Sequence, residues 1–223
     1  MLKNYVKIAI RNLWKHKTFA GINILGLALG LATCWLLIQY VRFEQSYDQF
    51  MGDKPIYRVE TMFSKGGKQK EHWATTSNGY APAMKANFPE IENFTRIFWR
   101  GSERVVRYEN QKFREPHVCL VDSNFFTFFD YPVLLGDRRT FLNEPNTVVL
   151  SESAARKYFG SQNPVGKTLE ISTLARTLNC QVTGVFADLP ANSTMQFSML
   201  ISGKTATSKF WNFWYQHANY TFV

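Results

Sequence analysis

Residues 19–41 read Phe-Ala-Gly-Ile-Asn-Ile-Leu-Gly-Leu-Ala-Leu-Gly-Leu-Ala-Thr-Cys-Trp-Leu-Leu-Ile-Gln-Tyr-Val, without one charged side chain. As a helix these 23 residues rise about 34 Å, enough to cross a hydrocarbon core of about 30 Å. The Leu, Ile, Phe and Val side chains favour insertion by at most about 4 to 5 kcal/mol. Asn23 and Gln39 oppose insertion but lie near the ends of the span. A secretory signal has a shorter apolar region, roughly 7–15 residues, followed by a small-residue cleavage site. Here Tyr40-Val41-Arg42-Phe43-Glu44-Gln45 follows, and it offers no such site. The span therefore reads as a retained transmembrane helix.

Its flanks orient it. Lys3, Lys7, Arg11, Lys15 and Lys17 precede the span with no acid among them, whereas Arg42, Glu44, Asp48 and Asp53 follow. The positive-inside rule then places the N-terminus in the cytoplasm and the rest outside. Lys3, Lys7, Arg11 and Lys15 climb one helix face in steps of four, opposite Tyr5, Val6, Ala9, Ile10 and Leu13. That amphipathic pattern suits a helix lying among cytoplasmic headgroups. Inside the span, Gly26 and Gly30 form a Gly-x-x-x-Gly, a spacing that lets two helix backbones approach closely.

Charge elsewhere is nearly balanced. The formal net charge is +9, but the 205 residues after position 18 hold 21 basic against 17 acidic groups. No nucleic-acid-reading motif accompanies them, which argues against a nucleic-acid partner. Mean hydropathy is −0.23, so the apolar content is local. Phe43, Tyr47 and Phe50 keep a helical spacing, predicting a stalk capped near Gly52. Beyond it, strands are predicted over 56–63, 94–100, 104–108, 112–121, 167–172, 178–187 and 196–201. Helices are predicted over 80–88, over 124–129 with Asp122 or Ser123 as cap, and over 152–159 between Ser151 and Gly160. The expected organisation is a basic helix (1–18), a transmembrane helix (19–41), a helical stalk (42–53) and an extracytoplasmic α+β domain (54–223).

Catalytic chemistry is not legible. Residues 160–168, Gly-Ser-Gln-Asn-Pro-Val-Gly-Lys-Thr, imitate a phosphate-binding loop. They place five residues between the glycines instead of four, and Pro164 has no amide to donate. A turn entering a strand is the better reading. His16, His72, His117 and His217 lack metal-ligand spacing, and Cys34, Cys119 and Cys180 are too dispersed for zinc. Cys34 falls in the span; Cys119 and Cys180 either pair or stay as buried thiols. The aromatic run 125–129 reads as core. The run 210–215 reads as core lacking its covering segment, or as a partner surface. No cofactor is expected.

Asn-Leu-Trp-Lys-His-Lys-Thr-Phe (12–19) leading into a Gly/Leu-rich span resembles the opening of MacB/FtsX-like ABC transporter permeases of the Bacteroidota type. Phe-Glu-Gln-Ser-Tyr-Asp-Gln-Phe (43–50) and Ile-Tyr-Arg-Val (56–59) fit the same family. So do Phe-Phe-Asp-Tyr-Pro-Val-Leu-Leu-Gly-Asp (128–137), Ser-Glu-Ser-Ala-Ala-Arg-Lys-Tyr-Phe-Gly (151–160) and Val-Thr-Gly-Val-Phe-Ala-Asp-Leu-Pro-Ala-Asn-Ser (182–193). The resemblance implies a MacB-like periplasmic core domain and a non-catalytic permease subunit, homodimeric and paired with a separate cytoplasmic ABC ATPase. It also implies mechanical coupling of ATP hydrolysis to the outer domain, for efflux or signal transmission, with a periplasmic adaptor or substrate protein as a further partner. At least three more spans would follow, making this sequence a fragment with an incomplete domain. The alternative is a single-pass sensor or adaptor with an extracytoplasmic binding domain.

Overall fold

The computed structural model describes residues 2–49, 55–66, 68–98, 103–173, 176–206 and 214–223. The chain divides into two compact units, Met1–Gln49 and Phe50–Val223. The first holds α1 (Leu2–Lys15) and α2 (Lys17–Gln45). His16 separates them with non-helical backbone (ψ 47°). The hydrogen-bond ladder nevertheless runs through it, His16 N–H to Asn12 and Ala20 N–H to the His16 carbonyl. α2 is apolar on every side, and none of its residues is buried. Its 29 residues span about 43 Å, longer than a hydrocarbon core by about two turns. It ends at Gln45 with Ser46 as cap, whose N–H and hydroxyl bond back to Arg42 and Phe43 carbonyls. The helix thus stops short of the predicted cap, because Ser46 takes the last carbonyls first; Gly52 lies outside the described residues.

The second unit is built on one mixed sheet. Its path runs β1 (Arg58–Val59), β14 (His217–Phe222), β5 (Thr95–Phe98), β8 (Val118–Val121), β13 (Met199–Ser202), β10 (Thr147–Ser151), β12 (Thr177–Phe186), β11 (Thr168–Ser172), β6 (Arg104–Tyr108) and β7 (Gln111–Glu115). β4 (Thr76–Ser77) adds to β14 and β9 (Val133–Leu135) to β12. β10 with β12 and β13 with β8 are parallel; the other pairs are antiparallel. A separate hairpin pairs β2 (Thr61–Lys65) with β3 (Lys68–Trp73), and Gly66 supplies the positive φ of its turn.

The central strands are buried on both faces, and strand alternation splits their side chains between two cores. Val148, Leu150, Met199, Ile201, Leu169 and Ile171 join one core, covered by Ala154, Tyr158 and Phe159 of α5 (Glu152–Phe159). Val149, Leu200, Ile97 and Val121 join the other, covered by Phe125, Phe126 and Phe129 of α4 (Phe125–Phe129). α5 begins as predicted, the Ser151 hydroxyl accepting from Ala154 N–H at 3.2 Å, and stops at Gly160.

Three predicted elements differ. The strand over 112–121 is two strands in distant parts of the sheet, because Pro116 has no amide to continue a ladder. α4 has no side-chain cap, because the Asp122 carboxylate is held by Arg96 instead. The strand over 56–63 divides between β1 in the main sheet and β2 in the hairpin. Cys119 and Cys180 are free and buried in different cores, so the structure takes the unpaired alternative. Burial pushes each thiol up to about 12.

Candidate functional site: the basic and apolar helices and the paired strands β1 and β14

Lys3, Lys7, Arg11 and Lys15 lie along α1 and Lys17 opens α2; all are exposed. Tyr5, Ile8 and Trp14 of α1 are also exposed. Gly26 and Gly30 lie in α2, where a Cβ on either would meet nothing within 4 Å. Leu29 between them is 72% exposed. An apolar surface of this extent, uncovered by the described residues, is of the kind that lipid or another apolar helix covers. The Thr33 hydroxyl bonds to the Leu29 carbonyl at 2.9 Å, which satisfies it inside the helix.

In the folded domain, β1 and β14 are hydrogen-bonded neighbours. Arg58 pairs with Phe222 and Val59 with Thr221. Tyr57 N–H donates to the Val223 carbonyl at 2.8 Å, and Val223 N–H to the Tyr57 carbonyl at 3.0 Å. β14 is then fixed on both faces. Phe222 packs edge-on against Phe129, ring centres 5.2 Å apart, and Tyr220 packs on the same aromatic core. On the opposite face, the Thr221 and Thr76 hydroxyls lie 2.7 Å apart among the buried side chains of Ser77, Asn78 and Asn219.

Beside them, Arg96 of β5 is gripped by Asp122. Its Nε donates to Oδ2 and its Nη2 to Oδ1, both at 2.9 Å, while Nη1 reaches the Asn78 carbonyl at 2.7 Å. The Arg96 amide also donates to Asp122 Oδ2. Such a pair fixes geometry, because either partner alone would leave a charge in a poorly hydrated place.

A second knot joins the hairpin to this region. Phe63, Trp73 and His217 meet edge to face at 5.1 to 5.7 Å. Tyr80, at the start of α3 (Tyr80–Asn87), touches both His217 and Trp214. Trp214 lies flat on Gly79, where a Cβ would come within 2.7 Å of its ring. Of the aromatic run 210–215, only Trp214 and Tyr215 fall among the described residues; both are exposed. At the far edge of the sheet, buried Glu115 of β7 accepts from Lys157 Nζ at 2.5 Å and from the Tyr158 hydroxyl at 2.8 Å. Burial, then the Glu115 hydrogen bond, holds the Tyr158 phenol above its ordinary range. No group of His, Cys, Asp and Glu among the described residues is arranged to hold a metal ion.

The MacB-like periplasmic core domain family matches residues 20–222 of this sequence. The chain belongs to that family. A MacB-like core domain explains the mixed sheet preceded by an apolar helix. The chain is similar to the pyoverdine export ATP-binding/permease protein PvdT of Pseudomonas aeruginosa, 24% identical over 193 residues, 84% of this chain. It spans 28% of the length of that relative. Among solved structures, a domain described as part of a permease protein from Porphyromonas gingivalis is 28% identical, with a TM-score of 0.63 over 77% of this chain and 74% of that one. The periplasmic region of MacB from Actinobacillus actinomycetemcomitans has the same fold at 16% identity, TM-score 0.51, over 78% and 77% of the two chains.

The sequence-predicted residues lie on α1 and α2 in the first unit, and the β1–β14 pair lies in the second. Sequence reading missed β14. Its signal was present: Tyr220 and Phe222 alternate with Asn219 and Thr221, the period of a strand.

Proposed function

We propose that this chain is the N-terminal portion of an ABC transporter permease subunit, anchored in the inner membrane by residues 19–41. In this reading residues 1–18 lie on the cytoplasmic leaflet, residues 42–53 form a stalk and residues 54–223 lie outside. Lys3, Lys7, Arg11, Lys15 and Lys17 hold the inner end, each worth about 1 kcal/mol near anionic lipid. Gly26 and Gly30 form the packing face toward another membrane helix of a homodimeric permease. A separate cytoplasmic ATPase hydrolyses ATP, and the membrane helices relay its movement outward.

The observation that carries the reading is the β1–β14 pair. Force reaching residues 55–57 from the membrane side is borne by the Tyr57–Val223 hydrogen bonds, and then by Phe222 wedged against Phe129. The domain is thereby moved as a body rather than peeled apart, since β1, next to the membrane side of the domain, is laddered to β14 and through it to the aromatic core. The experiment has two arms on the complete permease in its native membrane. Protease added to spheroplasts must cut residues 55–223 and spare 1–18, and an ABC ATPase must co-purify with the tagged chain. Tyr57→Pro, which deletes the donor to Val223, is expected to leave ATPase binding intact while abolishing ATP-dependent change in domain accessibility. Protection of the domain in spheroplasts, or the absence of any ATPase partner, overturns the proposal.

A further inference from the structure

The folded domain is basic overall, with 19 Lys and Arg against 14 Asp and Glu in residues 55–223. One concavity on it has the opposite character. A groove of about 680 Å³ has half-buried Ile56, Ile91 and Phe128 in its floor, with exposed Tyr57, Glu90 and Glu92 at its rim. Among the described residues no Lys or Arg lines it. Several carboxylates elsewhere are matched: Glu60 by Arg58, Asp122 by Arg96, Glu115 by Lys157, Glu170 by Arg107 and Glu152 by Arg156. Glu90 and Glu92 enter no ion pair among the described residues. Tyr57 stands 67% exposed beside them, its ring available to a cation.

These features converge on one kind of occupant. An apolar floor selects an apolar body, two unmatched carboxylates select two positive charges, and the volume falls within the roughly 300–1,000 Å³ of ligand sites. We propose that the groove binds a short basic peptide, with apolar side chains on Ile56, Ile91 and Phe128 and two cationic groups on Glu90 and Glu92. Two separated carboxylates and an extended apolar floor suit alternating apolar and cationic side chains better than a single compact cation. Because Ile56 and Tyr57 adjoin β1, and Tyr57 is bonded to Val223, an occupied groove braces the β1–β14 pair. That consequence, a peptide acting as signal or cargo, rests on the transporter reading; the binding itself does not.

The test uses the full 223-residue chain in phosphatidylcholine nanodiscs, with empty nanodiscs subtracted. The probes are the fluorescently labelled peptide Leu-Arg-Leu-Arg amide and its counterpart Leu-Glu-Leu-Glu amide. Saturable binding of the basic peptide alone is expected, weakened by salt. E90Q/E92Q should bind it about tenfold more weakly, exposed ion pairs being individually modest, with an unchanged circular dichroism spectrum. Equal binding of both peptides, equal binding by the folded double variant, or no signal above empty nanodiscs overturns the site. If the site fails while spheroplast topology and ATPase co-purification hold, only the ligand is wrong.

Discussion

Leu29 in α2 and Leu150 in β10 are the same residue in opposite circumstances. Leu29 is 72% exposed, while Leu150 is completely buried between α5 and its neighbouring strands. In the domain, apolar side chains are sorted by strand alternation onto faces that helices cover. In α2 they surround the helix, so folding of these residues against their own unit cannot hide them. Burial in the domain is intramolecular; α2 is left to be covered by the bilayer and by other apolar helices.

The sharpest way to break this contrast is to charge each region. Leu29→Arg with Leu31→Arg should cost about 6 kcal/mol of insertion, more than the span gains. The chain should then leave the membrane under carbonate extraction, while its core domain still unfolds cooperatively. Leu150→Arg should do the reverse, keeping the chain in the membrane with an unfolded domain. Carbonate-resistant retention of the double variant would remove α2 as the anchor.

Truncation separates the regions less drastically. Phe125 is fully buried amid Phe126, Phe129, Tyr131 and Phe197. Phe125→Ala should destabilise the domain by about 3–5 kcal/mol in denaturant titration without altering membrane partition. Arg96→Ala strands Asp122 and the Asn78 carbonyl, and about 3 kcal/mol should be lost. Replacing both members, Arg96→Met with Asp122→Leu, should recover part of that loss. If single and double variants are equally unstable, the pair contributes through packing rather than charge.

The thiols give the smallest effect and sharpen the contrast between the cores and solvent. Cys119 and Cys180 have a folded pKa of about 12, against 9.0 for an exposed thiol. The folded state therefore holds protons that the unfolded state releases. Stability is complete below pH 9 and declines as pH rises toward 12, by about 1 kcal/mol per thiol at pH 10. Cys119→Ala with Cys180→Ala should flatten that decline in pH-dependent unfolding. At pH 8, Ellman's reagent should leave both thiols unmodified until denaturant is added.

Much of the fold was legible because the determining signals were local. Ser151 and Gly160 bracket α5, and Gly66 turns the hairpin, through side chains or backbone freedom within a few residues. β10 was not legible: Thr147-Val-Val-Leu-Ser151 is buried on both faces and shows no alternation to read. The break at Pro116 was visible as a residue, but the destinations of its two flanking strands depend on partners far away in sequence. Similarly, the site signals on α1 and α2 are periodic and local, whereas the groove joins residues near positions 56, 91 and 128, which share no pattern.

The sequence by itself determined the uncharged apolar span of α2, the basic face of α1 and the caps of α5. Each is set by neighbours within one or two turns, and intrinsic preference and solvent then suffice. Only the tertiary structure decided that β1 and β14 lie side by side, that Asp122 serves Arg96 rather than α4, and that Glu90 and Glu92 overlook an apolar floor. Those outcomes depend on strand order, and strand order is fixed by filling two cores at once, a constraint that no single segment carries.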